Sequence, residues 1–303
     1  MELPTHVPVM LAECLEYLAI KPDGIYLECT AGLGGHSRAI AERLSTLSGG
    51  LLIACDRDAE SLELARANTA AVADRIHFYQ ASFTELERTL KTEEVSQLDK
   101  LRGSPLQVDG LLADLGVSRY QLTNAERGFS LMSDGELDMR MNRSQPQTAA
   151  DLVNFEAEKE LADLIYKLGE ERRSRKIARA IVRARPITST GHLAKVIEQA
   201  VPRTGKLHPA TQTFMALRIA TNQELEELDA LLESIPRLVK PGGRVVVLTF
   251  MSLEDRAVKH GFQEMARSSR ATILTRHVVR PAEEEIRSNP PSRSAKLRAV
   301  ELL

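Results

Sequence analysis

The first third of the chain alternates short apolar runs with stretches of helical periodicity. Uninterrupted apolar runs bounded by turn residues are typical of strands that are buried on both faces of a sheet. The predicted strands are residues 25–29, 51–55, 75–80 and 108–113, and the predicted helices are residues 36–47, 59–73 and 82–90. Such regular alternation predicts an α/β fold with a doubly wound parallel sheet.

The alternation ends near residue 120, and helical periodicity then dominates as far as residue 207. The candidate helices there are residues 149–153, 159–168, 170–184 and 192–201. Sheet-type sequence resumes with a long predicted helix at 211–238, a strand at 241–250, a helix from 253, and β-like runs at 271–279 and 295–302. We therefore predict one α/β domain, residues 1–122 and 210–303, interrupted by an all-helical domain, residues 123–209.

Glycines and acids follow the ends of the predicted strands. Gly32, Gly34 and Gly35 come after the first strand, and Asp56 ends the second. Glycine at a strand-to-helix turn lets backbone N–H groups approach a ligand, and an acid at the second strand end can bind ribose hydroxyls. The spacing is not Gly-x-Gly-x-x-Gly, so it favours S-adenosylmethionine, which has no phosphate, over a dinucleotide. A nicotinamide-dependent dehydrogenase is the alternative enzyme class, and a turn without a ligand is the structural alternative.

Asp114 follows the fourth strand, and Gly116 allows a sharp turn after it. A carboxylate there can accept a hydrogen bond from an acceptor amine or contact the ammonium group of the cofactor; it can also cap a helix. His36 is either a ligand-binding residue or simply the start of a helix. Enzymes that methylate carbon 5 of cytosine use the cysteine of a Pro-Cys pair as a covalent nucleophile. No such pair occurs in the sequence, which argues against that class of enzyme.

A cationic segment lies in the predicted helical domain. Its positive residues recur at helical three- and four-residue spacing without balancing acids, which favours a phosphate backbone as partner over a merely solvated face. The residues of this cationic stripe are Arg172, Arg175, Lys176, Arg179 and Arg183. Aromatic residues make up only 4% of the chain and Trp is absent, which argues against a stacking platform for long single strands.

Composition limits the remaining choices. The net charge of -2 requires any nucleic-acid surface to be local. The three cysteines have neither metal-ligand spacing nor an even count for a disulfide framework. No apolar run approaches the length of a membrane span, and the N-terminus lacks the pattern of a signal peptide. We expect a cytoplasmic protein with no metal site and no membrane association.

Several short motifs, in this order, resemble one family almost from end to end. The motifs are residues 6–10, 34–37, 56–58, 113–118, 126–130, 137–141, 169–172, 208–211, 216–219 and 252–256. The family that they resemble is the bacterial 16S ribosomal RNA cytosine-N4 methyltransferases, also called RsmH or MraW. Met251 departs from the pattern, because the family usually has histidine there, so the resemblance implies no base at this position.

The resemblance implies a class I, Rossmann-like S-adenosylmethionine-dependent methyltransferase sheet with the helical domain inserted to help hold RNA. It also implies methylation of the exocyclic N4 amine of one cytidine in the decoding region of the small ribosomal subunit. The alternative function is that of a non-catalytic, RNA-binding ribosome-assembly factor with the same fold. The sequence does not determine the oligomeric state, and a homodimer is one of the states that it allows. The cofactor-binding residues that the resemblance implies are Gly34, Gly35, His36, Asp56, Phe83, Asp114 and Gln121.

Overall fold

The computed structural model describes residues 7–91, 107–203, 205 and 207–303. His6, the first residue of one family motif, lies outside them. The strands are β1 Ile25–Glu28, β2 Leu51–Asp56, β3 Ile76–Gln80, β4 Val108–Asp114, β5 Val239–Thr249, β6 Ala271–Ile273 and β7 Lys296–Leu302. The helices are α1 Leu11–Leu18, α2 Gly35–Ala41, α3 Ala59–Asn68, α4 Leu86–Leu90, α5 Arg119–Thr123, α6 Ala149–Phe155, α7 Glu158–Gly169, α8 Ser174–Ala184, α9 Thr190–Ala200, α10 Thr211–Asn222, α11 Glu224–Leu238, α12 Ser252–Arg267 and α13 Glu283–Ser288.

In the described residues, the strands form one sheet in the order β3-β2-β1-β4-β5-β7-β6. The first five strands in this order, β3, β2, β1, β4 and β5, pair in parallel, as the alternation of strands and helices predicts. β7 pairs antiparallel with both β5 and β6, so the sheet is mixed rather than wholly parallel. The sheet and its helices confirm the predicted Rossmann-like α/β class.

The order of the strands determines where a ligand can bind. The chain builds β1, β2 and β3 towards one edge, and it then returns to place β4 on the other side of β1. In open α/β sheets, the crevice beyond the carboxyl ends of the strands at such a reversal is the usual ligand site. The carboxyl ends of β1 and β4 are therefore the expected ligand-binding site.

Both faces of the sheet are covered, which explains why its strands read as continuous apolar runs. On β1, Ile25 and Leu27 enter one core, while Tyr26, which points to the opposite face, enters the other. α11 and α12 contribute Leu231 and Val258 to the first core. Because each strand buries apolar side chains on both faces, its sequence is continuously apolar rather than alternately apolar and polar.

Two compact units divide the chain. The sheet unit contains residues 1–116 and 226–303, and the helical unit contains residues 117–225. The helical unit begins six residues earlier than the predicted boundary of 123 and ends later than residue 209. It ends later because α10, which the sequence analysis assigned to the α/β domain, places Phe214 and Leu217 in the core of the helical unit.

Two predicted helices have different bounds in the structure. The helix expected over 211–238 is interrupted at Gln223, whose φ of 50° is left-handed and ends α10. The helix expected over 170–184 begins only at Ser174, because Glu170 has a φ of 52° and ends α7. Arg172 therefore precedes the cationic helix α8 rather than lying on it.

Among the described residues, no helix combines the length and the apolar character that crossing a membrane requires.

Candidate functional site

The turn after β1 is built from glycines with two different tasks. Gly32 has a φ of 52° and Gly34 a φ of 83°, both in the left-handed region. A Cβ on Gly34 would lie 2.9 Å from Thr69 Cγ2 and 3.2 Å from the backbone of Ala65, so this glycine lets the start of α2 pack against α3. A Cβ on Gly32 would meet no described atom nearer than the Thr30 carbonyl oxygen, at 4.0 Å. Gly32 therefore faces open space at the end of the sheet.

Asp56, at the end of β2, fixes this turn from the neighbouring strand. Its Oδ2 accepts a hydrogen bond from the N–H of Gly32 at 2.8 Å, and its Oδ1 accepts one from the N–H of Asp58 at 2.9 Å. Burial raises the pKa of the Asp56 carboxyl to about 6, although both backbone N–H groups oppose that shift. The carboxylate is thus held rigidly beside the glycine turn.

Asp114 and His36 meet at the strand reversal. The N–H of Asp114 donates to Thr30 Oγ1 at 2.6 Å, which ties the end of β4 to the turn after β1. His36 Nδ1 lies 3.8 Å from Asp114 Oδ2, and His36 Nε2 lies 3.1 Å from the carbonyl oxygen of Val9. Because a carbonyl oxygen only accepts, Nε2 carries the proton, and Nδ1 faces the carboxyl of Asp114.

The Asp114 carboxyl keeps one oxygen available. Oδ1 is buried and has no hydrogen-bond partner among the described residues, although the side chain as a whole is 17% exposed. Burial, and then the nearby Glu254 carboxylate, raise the pKa of Asp114 to about 7. A buried acceptor without a partner is costly, so this oxygen is suited to a donor that arrives with a ligand.

Glu28 is a third acid, buried beneath the turn. It ends β1, is 1% exposed and accepts a hydrogen bond from the hydroxyl of Ser37, while its Oε1 has no partner in the described part of the chain. Burial raises the pKa of the Glu28 carboxyl to about 8, and the carboxylates of Asp114 and Asp56 add to that rise. The Glu28 carboxyl therefore senses the charges of both acids at the ends of the neighbouring strands, Asp56 and Asp114.

We expect Glu28 to make the free protein less stable as the pH rises. Its folded pKa of about 8 exceeds its ordinary value of 4.5. The folded state therefore holds a proton that the unfolded state loses between these values, and the free energy of unfolding falls with increasing pH across that window. Urea titrations of the ligand-free protein at pH 6 and pH 8 should show a smaller fall for Glu28→Gln than for wild type. Equal falls would contradict the assignment.

Of the remaining predicted cofactor residues, Phe83 belongs to the sheet unit and Gln121 to the helical unit. Phe83 follows β3 and is partly buried against the sheet core. Gln121, in α5 of the helical unit, makes a reciprocal cap with Ser118: its Oε1 accepts from the Ser118 N–H at 2.9 Å, and its own N–H donates to Ser118 Oγ. Met251 is buried at the start of α12, where the Glu254 carboxylate accepts its N–H.

Glu28, Thr30 and Ser37 were not predicted as site residues. Each lies in or beside the glycine motif, and Glu28 carried a signal, since an acid at the end of an apolar strand is rarely buried without a purpose. The partnerships of Thr30 with Asp114 and of Ser37 with Glu28 depend on which strands are neighbours, and a linear pattern does not contain that information.

The cationic stripe lies on the surface of the helical unit, and all five of its residues are exposed. Ile177 and Ile181 on the opposite side of α8 are buried in the helical core. Arg179 pairs with Glu158 at 3.3 Å. Arg175, Lys176 and Arg183 form no ion pair within the described ranges.

The sequence profile of the MraW methylase family matches residues 4–303. The chain belongs to the MraW methylase family. The ribosomal RNA small subunit methyltransferase H of Solibacter usitatus is 61% identical over 98% of this chain and 99% of its own length. The proteins of the same name from Acidobacterium capsulatum and Koribacter versatilis are 49% and 47% identical over 99% and 98% of this chain, and over 99% and 93% of their own lengths.

Membership of the MraW family makes the protein an S-adenosylmethionine-dependent methyltransferase and confirms the resemblance found in the motifs. The match extends over both units. Neither the dehydrogenase nor the non-catalytic assembly factor is favoured. The residues at the strand ends fit this cofactor. They offer the hydrogen-bonded carboxylate of Asp56, the open turn at Gly32 and the unpartnered Oδ1 of Asp114.

Proposed function

We propose that this methyltransferase methylates the exocyclic N4 amine of one cytidine in the decoding region of small-subunit ribosomal RNA. The relatives that it matches along nearly its whole length are named as methyltransferases of that RNA. The choice of an amine as acceptor is supported by the unpartnered Oδ1 of Asp114 at the reversal of the sheet, because this oxygen can accept a hydrogen bond from an N–H group.

In this proposal, Asp56 accepts hydrogen bonds from the ribose hydroxyls of the cofactor, and the backbone of Gly34, Gly35 and His36 approaches its methionine part. Phe83 packs on the adenine, and Gln121 is the further cofactor residue that the family resemblance implies. The bound cofactor supplies an electrophilic methyl group on a sulfonium. The glycine turn supports the assignment because it is fixed by Asp56 and open at Gly32.

Asp114 positions the acceptor. The amino nitrogen of cytosine is conjugated with its ring, so its lone pair must be turned towards the methyl carbon for an in-line displacement. A carboxylate that accepts one N–H of the amine orients that nitrogen, and the N–H of Asp114 is itself held by Thr30. The bound cofactor would supply the methyl group to the amine held by Asp114, and the methylated amine would then lose one proton to water.

His36 supports Asp114 in this role. Its Nε2–H is held by the carbonyl oxygen of Val9, which orients Nδ1 towards the carboxyl. Nδ1 thereby lies 3.8 Å from Asp114 Oδ2, and the ring limits the directions in which that carboxyl can turn.

The cationic stripe binds the RNA backbone in this proposal. We expect Arg175→Ala together with Arg179→Ala to weaken RNA binding and to lower the slope of log Kd against log salt by about 1.4, since each phosphate contact on a single strand contributes about 0.7. Fluorescence anisotropy of an RNA fragment between 50 and 300 mM salt measures both quantities.

The matched control replaces two exposed cations on α12 of the sheet unit, Lys259 and Arg267, with alanine. This pair removes the same charge, and its salt slope should stay within 0.3 of wild type. Cofactor affinity should be unchanged in both double variants. An unaltered salt slope in the α8 variant would show that the stripe is only a solvated surface.

The acceptor is tested by mass spectrometry of small-subunit rRNA nucleosides from cells with and without the gene. We expect N4-methylcytidine at one position to be lost on deletion and restored by the wild-type gene. An unchanged nucleoside profile would contradict the proposal.

A cytoplasmic location follows from this substrate, and the three cysteines, which are free and buried, agree with a reducing compartment.

A further inference from the structure

The helical unit exposes one aromatic ring in an unusual setting. Phe155, the last residue of α6, is 81% exposed, and Tyr166 on α7 is 58% exposed. The other aromatic side chains of the described residues are buried or partly buried. A single exposed aromatic side chain does not by itself indicate a binding site, so the residues around each ring have to indicate one.

The backbone around Phe155 is fixed to the segment that leaves α8. Asn154 exchanges two hydrogen bonds with the backbone of Ile187, at 2.7 and 3.0 Å. The guanidinium of Arg185 donates to the carbonyl oxygens of Val153 and Glu156, on either side of Phe155. The ring is therefore presented to solvent from a clamped backbone.

The same contacts place the ring at the carboxyl-terminal end of the cationic stripe. Arg183 lies two residues before the clamping Arg185, and Arg179 lies one turn earlier on α8. Arg179 reaches Glu158, the first residue of α7, which is only three residues after Phe155. Tyr166 is the second exposed aromatic ring of the helical unit, and it lies on α7, eight residues after Glu158.

We propose that Phe155 stacks on one unpaired base of the RNA substrate while Arg179 and Arg183 contact the phosphates beside that base. A clamped aromatic ring loses little freedom when it binds, and every base offers a π-face. In a duplex the bases are already stacked on one another, so the ring selects an unpaired nucleotide in a loop or bulge. One ring suits one base and does not require a platform for a long single strand.

This inference rests on the proposed function, since it concerns how the same RNA is held. The test uses the full-length protein saturated with S-adenosylhomocysteine and a decoding-region RNA that carries 2-aminopurine at each unpaired position in turn. For wild type, we expect fluorescence quenching at one position at least. For Phe155→Ala, we expect that quenching to be lost and Kd to rise about tenfold with an unchanged salt slope.

Three further variants separate stacking from other effects. Phe155→Trp should retain the affinity and the quenching. Phe155→Leu keeps an apolar side chain without a ring and should behave like Phe155→Ala. Tyr166→Ala, the control aromatic, should stay within twofold of wild type. Thermal melts of all four should match wild type, because both rings are largely exposed.

Wild-type affinity and quenching in Phe155→Ala would overturn the inference, as would wild-type behaviour of Phe155→Leu. Loss of activity on assembled subunits without any loss of RNA affinity would assign the ring to a protein contact and would also overturn it. If wild type binds the RNA but transfers no methyl group to its cytidine, the proposed function fails, and the binding data still decide the role of Phe155.

Discussion

Replacing Asp114 with asparagine is expected to lower kcat about 100-fold. The carboxylate accepts an N–H of the acceptor amine in the proposed mechanism, and a hydrogen bond to a charged group contributes about 1.5–3 kcal/mol. The amide of asparagine directs an NH2 group at the site in one of its two orientations, and two donors then face each other. Single-turnover methylation of the RNA fragment measures the chemical step directly.

Asp109 provides a matched control on the same strand. It lies at the opposite end of β4, where its carboxylate accepts the N–H of Ile25 at 2.9 Å and pairs with Lys240. Asp109→Asn should lower the free energy of unfolding, since the hydrogen bond and the ion pair of a buried carboxylate are weakened, while the single-turnover rate of the folded protein stays within twofold of wild type. Near-normal methylation by Asp114→Asn would refute the positioning role.

The pH dependence of the same reaction offers a second measurement on Asp114. Its pKa of about 7 means that the ionised, accepting form is lost as the pH falls through that value. The single-turnover rate of wild type should therefore decline below pH 7. Asp114→Asn, which has no proton to gain, should show a flatter profile over the same range.

Replacing Asp56 with asparagine should raise the Kd for S-adenosylhomocysteine about 100-fold. The carboxylate has two tasks: it binds the two ribose hydroxyls in the proposed site, and it holds the N–H groups of Gly32 and Asp58. Asparagine has one acceptor oxygen in place of two, so charge-assisted bonds to the hydroxyls are lost or the glycine turn is released. Isothermal titration calorimetry measures the change.

Asp58 is the control for this experiment, two residues away. Its side chain caps α3 by accepting the N–H groups of Glu60 and Ser61. Asparagine is an equally good cap, so Asp58→Asn should bind the cofactor product within threefold of wild type. RNA affinity, measured without cofactor, should be unchanged in both variants. Unaltered binding by Asp56→Asn would remove this carboxylate from the cofactor site.

Much of the fold followed from local pattern. The apolar runs located β1 to β4 within one or two residues, because strands buried on both faces leave a continuous apolar signal. The interruption at Gln223 and the late start of α8 were missed, since left-handed residues other than glycine leave no clear trace in a sequence. The β-like run at 295–302 was predicted and forms β7, but its antiparallel direction was missed, because an apolar run does not indicate the direction of its partner strand.

The sequence by itself determined which residues end the strands and therefore that Asp56, Asp114 and the glycine turn belong to one edge of the sheet. Tertiary structure alone decided that Thr30 holds the backbone of Asp114, that His36 faces its carboxyl and that Ser37 donates to Glu28. It also decided that Phe155 is exposed beside the cationic stripe. The reason is physical: the order of residues fixes the ends of strands, whereas burial and the raised pKa values depend on which strand ends become neighbours in space.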